Sequence, residues 1–206
     1  MPWEDIYEKS VFINCPFSSE YQGIFRAILF AVYACGFRPR CALEVSDSSV
    51  NRLAKIEEII KQSRFAIHDI SFMEIDKTTG LARLNMAFEL GLFMAAKKFG
   101  GRRQKRKNAL IMDKTRYRYR KSLSDISGHD IEPHNQNERR TIRAVRDWLN
   151  SAYRDHSLPG GEYIAKQFVR FSKELPTASK KLKLNPKQLT FPDVCRAIES
   201  WLKENA

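Results

Sequence analysis

Val11-Phe12-Ile13-Asn14-Cys15-Pro16-Phe17 is an unbroken apolar run halted by a proline. That is the pattern of a strand buried on both faces. Working outward from it, Ser19 and Gln22 have the spacing of a capping box, and Gly36 supplies a stop. The helix between them carries Ile24, Ile28, Leu29 and Val32 at helical spacing. Residues 39–44 read as a second strand. Asp47-Ser48-Ser49 then opens a helix with Val50, Leu53, Ile56 and Ile60 on one face. Arg64-Phe65-Ala66-Ile67-His68-Asp69-Ile70-Ser71 repeats the buried-strand pattern. After a loop over 73–84, Asn85 caps a helix that ends near Gly100. Residues 108–113 form a fourth strand, and 129–132 a fifth. Residues 137–153 are strongly amphipathic, with Ile142, Val145, Leu149 and Ala152 at core spacing.

Strands that alternate with helices imply a mainly parallel sheet with helices on both faces. Five strands and short connections point to a flavodoxin-like, doubly wound α/β fold. The segment 157–161 reads as a boundary. It separates an α/β domain over 1–156 from a C-terminal helical extension over 157–206. The extension carries Ile164, Phe168, Phe171 and Leu175, then Val194, Ile198, Trp201 and Leu202.

A hydrophobic fraction of 43% across 206 residues is enough for a packed core, so disorder is not expected. A formal net charge of +12 calls for an anionic partner: nucleic acid, a nucleotide or an acidic protein face. Cys15, Cys35, Cys41 and Cys195 form no CxxC pair and read as free thiols in a reducing compartment. The acidic start Met1-Pro2-Trp3-Glu4-Asp5 is no targeting signal. The longest apolar run, 27–37, is too short to span a bilayer. A cytoplasmic protein without a membrane partner is the expectation.

Doubly wound sheets bind ligands beyond the carboxyl ends of their strands, where strand order reverses. This rule gathers Asn14 and Cys15, Glu44, Asp69 and Glu89 around one crevice. Glu89 is the only charge between Met86 and Ala96, on an apolar helix face. A lone carboxylate buried without partners is costly, so it should open onto a polar pocket. The nearby helix N-terminus should favour its ionised form. It can serve as a nucleophile or stabilise an oxocarbenium-like centre. The alternative is a structural hydrogen bond to a neighbouring loop. Asp69 has a bland reading as a turn cap, and Glu44 as the start of a polar turn. His68, in alternation with Asp69, should face the core or a helix. His129, Asp130 and His134 fit no metal-binding spacing. The basic stretch 97–121 includes Arg116, Arg118 and Arg120 interleaved with Tyr117 and Tyr119. It could hold phosphates and stack bases, with the arginines on one side and the tyrosines on the other, or stay a solvated loop.

Phe12-Ile13-Asn14-Cys15-Pro16-Phe17 resembles the first strand and Pro-Phe turn of nucleoside 2-deoxyribosyltransferases. Asn85-Met86-Ala87-Phe88-Glu89-Leu90-Gly91, with Ala95 and Lys97, resembles their catalytic helix, and Ile67-His68-Asp69-Ile70-Ser71 fits the same pattern. TIR-like domains share this winding and the glutamate. The resemblance covers about residues 10–150. It implies N-glycosidic cleavage or transfer, with Glu89 at the ribose C1′ carbon and Asp69 holding the sugar. Asn14, Cys15, Pro16 and Phe17 would floor the pocket. In TIR-like relatives the substrate is NAD, whose depletion arrests phage-infected bacteria. Here NAD would be substrate, not cofactor, and the chain would work as a homo-oligomer or with a separate activating protein. Where deoxyribosyltransferases place an acid before the glutamate, this chain has Leu81-Ala82-Arg83-Leu84-Asn85. Arg83 suits a phosphate, which shifts the expectation from nucleosides toward nucleotides. A degenerate domain that only binds nucleotide is the alternative, and nucleic-acid binding through 97–121 is another.

Overall fold

The computed structural model describes residues 3–44, 46–73, 75, 80–153 and 157–205. Its helices are α1 (Trp3–Lys9), α2 (Gln22–Ala34), α3 (Arg52–Gln62), α4 (Asn85–Phe99), α5 (Arg102–Lys105), α6 (Glu138–Ala152), α7 (Gly161–Lys181) and α8 (Phe191–Glu204). Its strands are β1 (Ser10–Asn14), β2 (Arg38–Arg40), β3 (Phe65–Asp69), β4 (Asn108–Asp113) and β5 (Ile131–Pro133). They pair in the order β2-β1-β3-β4-β5, every pair parallel. The expected flavodoxin-like α/β architecture is therefore what the chain adopts. Strand order reverses between β1 and β3, where Asn14 lies opposite His68.

Alternation along the strands sorts the two faces. Val11, Ile13, Phe65, Ile67, Leu110 and Met112 share a core with α2 and α6. Phe12 and Ala66 pack with Ile56, Ile59 and Ile60 of α3 and Phe93 of α4. Helices cover both faces, so β1 and β3 are buried along their whole length. This is why they read as continuous apolar runs.

Residues 27–32 of α2 are completely buried because two layers enclose them. The sheet lies on one side. On the other, Phe30 meets Phe168 and Phe171 of α7 and Trp201 of α8, with ring centroids 5.3–5.8 Å apart. The Trp201 indole N–H donates to Glu174 at 2.6 Å. The C-terminal helices thus complete the α2 core. Among the described residues, no helix is long and apolar enough to cross a membrane.

Several local readings need correction. Ser19–Tyr21 is a 3-10 turn, and no side chain caps α2. Gly36 does end α2, in a left-handed conformation (φ 75°). The second strand stops at Arg40, because residues 41–44 fold into a turn closed by Glu44 N–H to the Cys41 carbonyl. Asp47 accepts from Ser49 in a local turn, and Asn51 is the residue that caps α3, accepting from Leu53 N at 2.8 Å. Val50 and Leu53 are consequently exposed, and Ile59 takes their expected place in the core. Asn85 is the first residue of α4 and does not cap it. Asn137 does cap α6, accepting from Arg140 N at 2.9 Å.

Because Phe30 joins the two layers, Phe30→Ala should lower stability by about 3–5 kcal/mol. Chemical denaturation checks this. A loss below about 1 kcal/mol would show that the C-terminal helices are not part of this core.

Candidate functional site

The side-chain amide of Asn14 organises the carboxyl end of the sheet. Its nitrogen donates to His68 Nδ1 at 2.9 Å and to the Met86 carbonyl at 2.8 Å. One side chain thereby ties β1 to β3 and to the first turn of α4. Glu89 lies three residues beyond Met86, on the same side of the helix. It is 7% exposed, and its carboxylate accepts no hydrogen bond from the described residues, while its oxygens keep some contact with solvent. Burial pushes its pKa up to about 6, and Arg52, at the start of α3, is the charge that opposes this. The expected stabilisation of the anion by the helix N-terminus is outweighed. Glu89 sits beyond the first turn, where that field has fallen away.

His68 is buried between Phe12 and Phe93, with ring centroids at 5.8 and 5.2 Å. Because its Nδ1 accepts from Asn14, the hydrogen-bond network places its proton on Nε2, which has no partner among the described residues. Burial, aided by Lys107, lowers its pKa to about 3, so the ring is neutral. It faces α4, as alternation implied, and supports Asn14.

Asp69 faces the other way. Its Oδ2 accepts from the Tyr21 hydroxyl at 2.5 Å and lies 3.1 Å from His134 Nε2, and its Oδ1 accepts from Ser71 N at 2.8 Å. Ser71 Oγ also meets His134 Nε2, at 2.7 Å, while His134 Nδ1 accepts from Gln136 N. These are the residue types of a hydrolase triad without its wiring. In a triad the acid and the nucleophile occupy different nitrogens of the histidine. Here both compete for one. The group is a buried lock between β3 and β5 and leaves Asp69 no free oxygen for a sugar.

The other sequence candidates divide. Cys15 is buried, and burial together with Asp69 and Glu89 drives its thiol pKa well up, so it is no nucleophile at neutral pH. Pro16 is buried, and Phe17 packs edge-on against Phe25 on the α2 side, so it does not floor a pocket beneath Glu89. Glu44 is held by Arg40 through two hydrogen bonds, at 2.7 and 2.6 Å. Arg83 and Asn85 are exposed at the entrance to α4. Leu81, Leu84 and Phe88 are exposed there too, as are Val50 and Leu53 beside Arg52. The N-terminal ends of α3 and α4 and the segments leading into them therefore carry exposed apolar side chains. Among the described residues, no group of three or more His, Cys, Asp or Glu side chains is placed to hold a metal ion.

The basic stretch 97–121 is not one surface. β4 runs through it and sends its two halves to opposite ends of the sheet. In the second half, residues 118–121 form a 3-10 turn, which removes the expected alternation. Arg118 bonds Asp113 through Nε (2.8 Å) and Nη2 (2.6 Å), and Nη2 also reaches the Ile70 carbonyl. Arg118 is thus a clamp between β3 and β4. Tyr119 is buried. Tyr117 is exposed, in a left-handed conformation (φ 63°), with the Arg116 and Arg120 guanidinium carbons 5.1 and 4.2 Å from its ring centre.

Sequence reasoning missed Arg52 and Tyr21, and weighed His134 only as a metal ligand. Arg52 left no local signal, because the start of α3 was read at Asp47. Tyr21 and His134 meet Asp69 only across 48 and 65 residues of chain, respectively.

A carboxyl group whose folded pKa is raised binds its proton more tightly in the folded state. It therefore favours folding below its ordinary pKa of 4.5 and loses that contribution as pH rises through about 6. Glu89→Gln should stabilise the protein relative to wild type above pH 6, with the difference shrinking toward pH 4.5. Thermal melts across that range check this, and a pH-independent difference would contradict it. No family model, curated protein or solved structure matches this chain.

Proposed function

We propose that the protein is a nucleotide N-glycosidase, with NAD+ its foremost substrate and Glu89 the catalytic group. The observation that carries the reading is a buried carboxyl group with no hydrogen-bond partner among the described residues, seated where strand order reverses and tuned to about 6. At neutral pH it is largely ionised. As the C1′–N bond breaks, the base leaves with the bonding pair, and nicotinamide departs as a neutral molecule. The Glu89 carboxylate stabilises the positive charge that develops at C1′. Water then bonds to C1′ and releases a proton. Arg52 and Arg83 are the cations at this end of α3 and α4 suited to the phosphates, and the exposed Leu84 and Phe88 are suited to the base.

Asn14 positions Glu89 through α4, and Asp69 acts through the fold. The resemblance to TIR-like domains adds a role as an anti-phage effector switched on by assembly.

A second reading has its own support. Asp69 is sequestered by Tyr21, Ser71 and His134, so Glu89 has no second carboxylate beside it to hold the sugar. A site of that kind suits nucleotide sensing without turnover.

Base release from NAD+ and from free nucleosides, followed by chromatography with the protein dilute and crowded, separates the two. NAD+ cleavage should rise with pH through about 6 as Glu89 ionises. Glu89→Gln should reduce it by about 100-fold or more. Arg52→Gln should raise KM for NAD+, and should change kcat little only well above pH 6, because losing Arg52 also moves the ionisation of Glu89 upward. No release under any condition, or release unaffected by Glu89→Gln, would overturn the glycosidase. A nucleotide-induced rise in melting temperature without turnover would then establish the sensor.

A further inference from the structure

The first half of the basic stretch lies at the opposite end of the sheet from Glu89. The fifteen residues of α4 span about 22 Å between the two ends. No acid occurs between Glu89 and Asp113. Three cations of this region are engaged by the fold. Lys107 is buried and donates to the Ile60 and Ser63 carbonyls, Arg106 pairs with Glu8, and Arg103 lies 4.1 Å from the Tyr7 ring centre. Four are not: Lys97, Lys98, Arg102 and Lys105 are exposed, with no partner among the described residues. Phe99 stands among them, 83% exposed, the most exposed large apolar side chain among the described residues.

The corner that carries these groups is built. A Cβ on Gly100 would lie 2.4 Å from the Ala96 carbonyl oxygen and 2.6 Å from Gln104 Cβ, so only glycine allows α4 and α5 to meet this closely. The Gln104 amide in turn donates to the Lys61 carbonyl at the end of α3, at 3.0 Å. Lys97 and Lys98 also complement the C-terminal end of the α4 dipole. That accounts for neither Arg102 and Lys105 nor an exposed phenyl ring.

We infer that the α4–α5 corner is a binding surface for single-stranded nucleic acid, with Lys97, Lys98, Arg102 and Lys105 on backbone phosphates and Phe99 stacked on a base. Cations that track a backbone around an aromatic platform are the general means of holding single strands without sequence preference. A membrane anchor on the same charges would need more apolar surface than one ring supplies. The surface is independent of the Glu89 reading, and either can fail alone.

Fluorescence anisotropy of the full chain with a labelled oligothymidylate of about 20 nucleotides tests it. Neutralising four phosphates should give a salt slope of about −3, which is roughly a 50-fold loss of affinity from about 50 to 200 mM salt. Lys97→Gln, Lys98→Gln, Arg102→Gln and Lys105→Gln together should abolish most of that slope. Phe99→Ala should weaken binding by about 5-fold or more and leave the slope intact. All five side chains are exposed, so the variants should fold, which circular dichroism checks. Arg116→Gln with Arg120→Gln, at the other end of the sheet, should bind as wild type. No binding at low salt, binding insensitive to the corner variants, or binding lost equally in the Arg116 and Arg120 variant would overturn the inference. So would association only with vesicles containing about 30% phosphatidylserine.

Discussion

Asn14 is the joint on which the carboxyl end of this sheet depends. Its amide nitrogen offers two hydrogens, and both are used: one on the imidazole of β3, one on a carbonyl in the first turn of α4. The bond to His68 fixes the tautomer of a ring kept neutral by burial. The bond to Met86 sets the rotation and height of α4, and so the place of Glu89. Leaving these buried groups unpaired would cost about 1–3 kcal/mol each. That penalty holds the strand end and the helix start together, and holds the Glu89 carboxyl group over the point where strand order reverses. Favourable folding elsewhere, above all the doubly covered α2 layer, offsets the burial of Glu89.

Much of the fold was legible because it rests on periodicity. β4 falls at 108–113 as read, and α6 begins at its Asn137 cap, since both carry uninterrupted patterns with clear ends. The short or edge elements were not legible in the same way. The second strand contains Pro39 and is stopped by a turn, so its apolar and polar residues could not mark its length. Asp47-Ser48-Ser49 has the chemistry of a helix start and spends it on a local turn. The apolar position of Glu89 on α4 was visible as a pattern. Its neighbours were not, because they come from distant parts of the chain. Asp69 looked like a site residue by its place at a strand end. Only the fold brings Tyr21 and His134 to it, on the face opposite His68.

Charge shows the same contrast. In sequence the cations from Lys97 to Lys121 form one stretch. In space β4 divides them, and each half is treated differently. Near the carboxyl end, Arg118 is spent on Asp113 and on the Ile70 carbonyl just past β3, while Arg116 and Arg120 lie against Tyr117. Near the amino end, α1 contributes Glu8 and Tyr7 to some of the cations and leaves others in solvent. Net charge therefore says less about partners than the distribution of unpaired charge, which only the fold reveals.

Everything proposed for the site rests on Glu89 being a buried carboxyl group, without a hydrogen-bond partner among the described residues, held in place by Asn14. Carboxyl carbon NMR, with the Glu89 resonance assigned by its loss in Glu89→Gln, measures this directly. Glu89 should titrate near 6 in the intact protein and shift back toward 4.5 in Asn14→Ala, as α4 loosens and more water reaches the group. A Glu89 that titrates near 4.5 in the wild-type chain would contradict it, because the carboxylate would then be solvated and the site no different from ordinary surface.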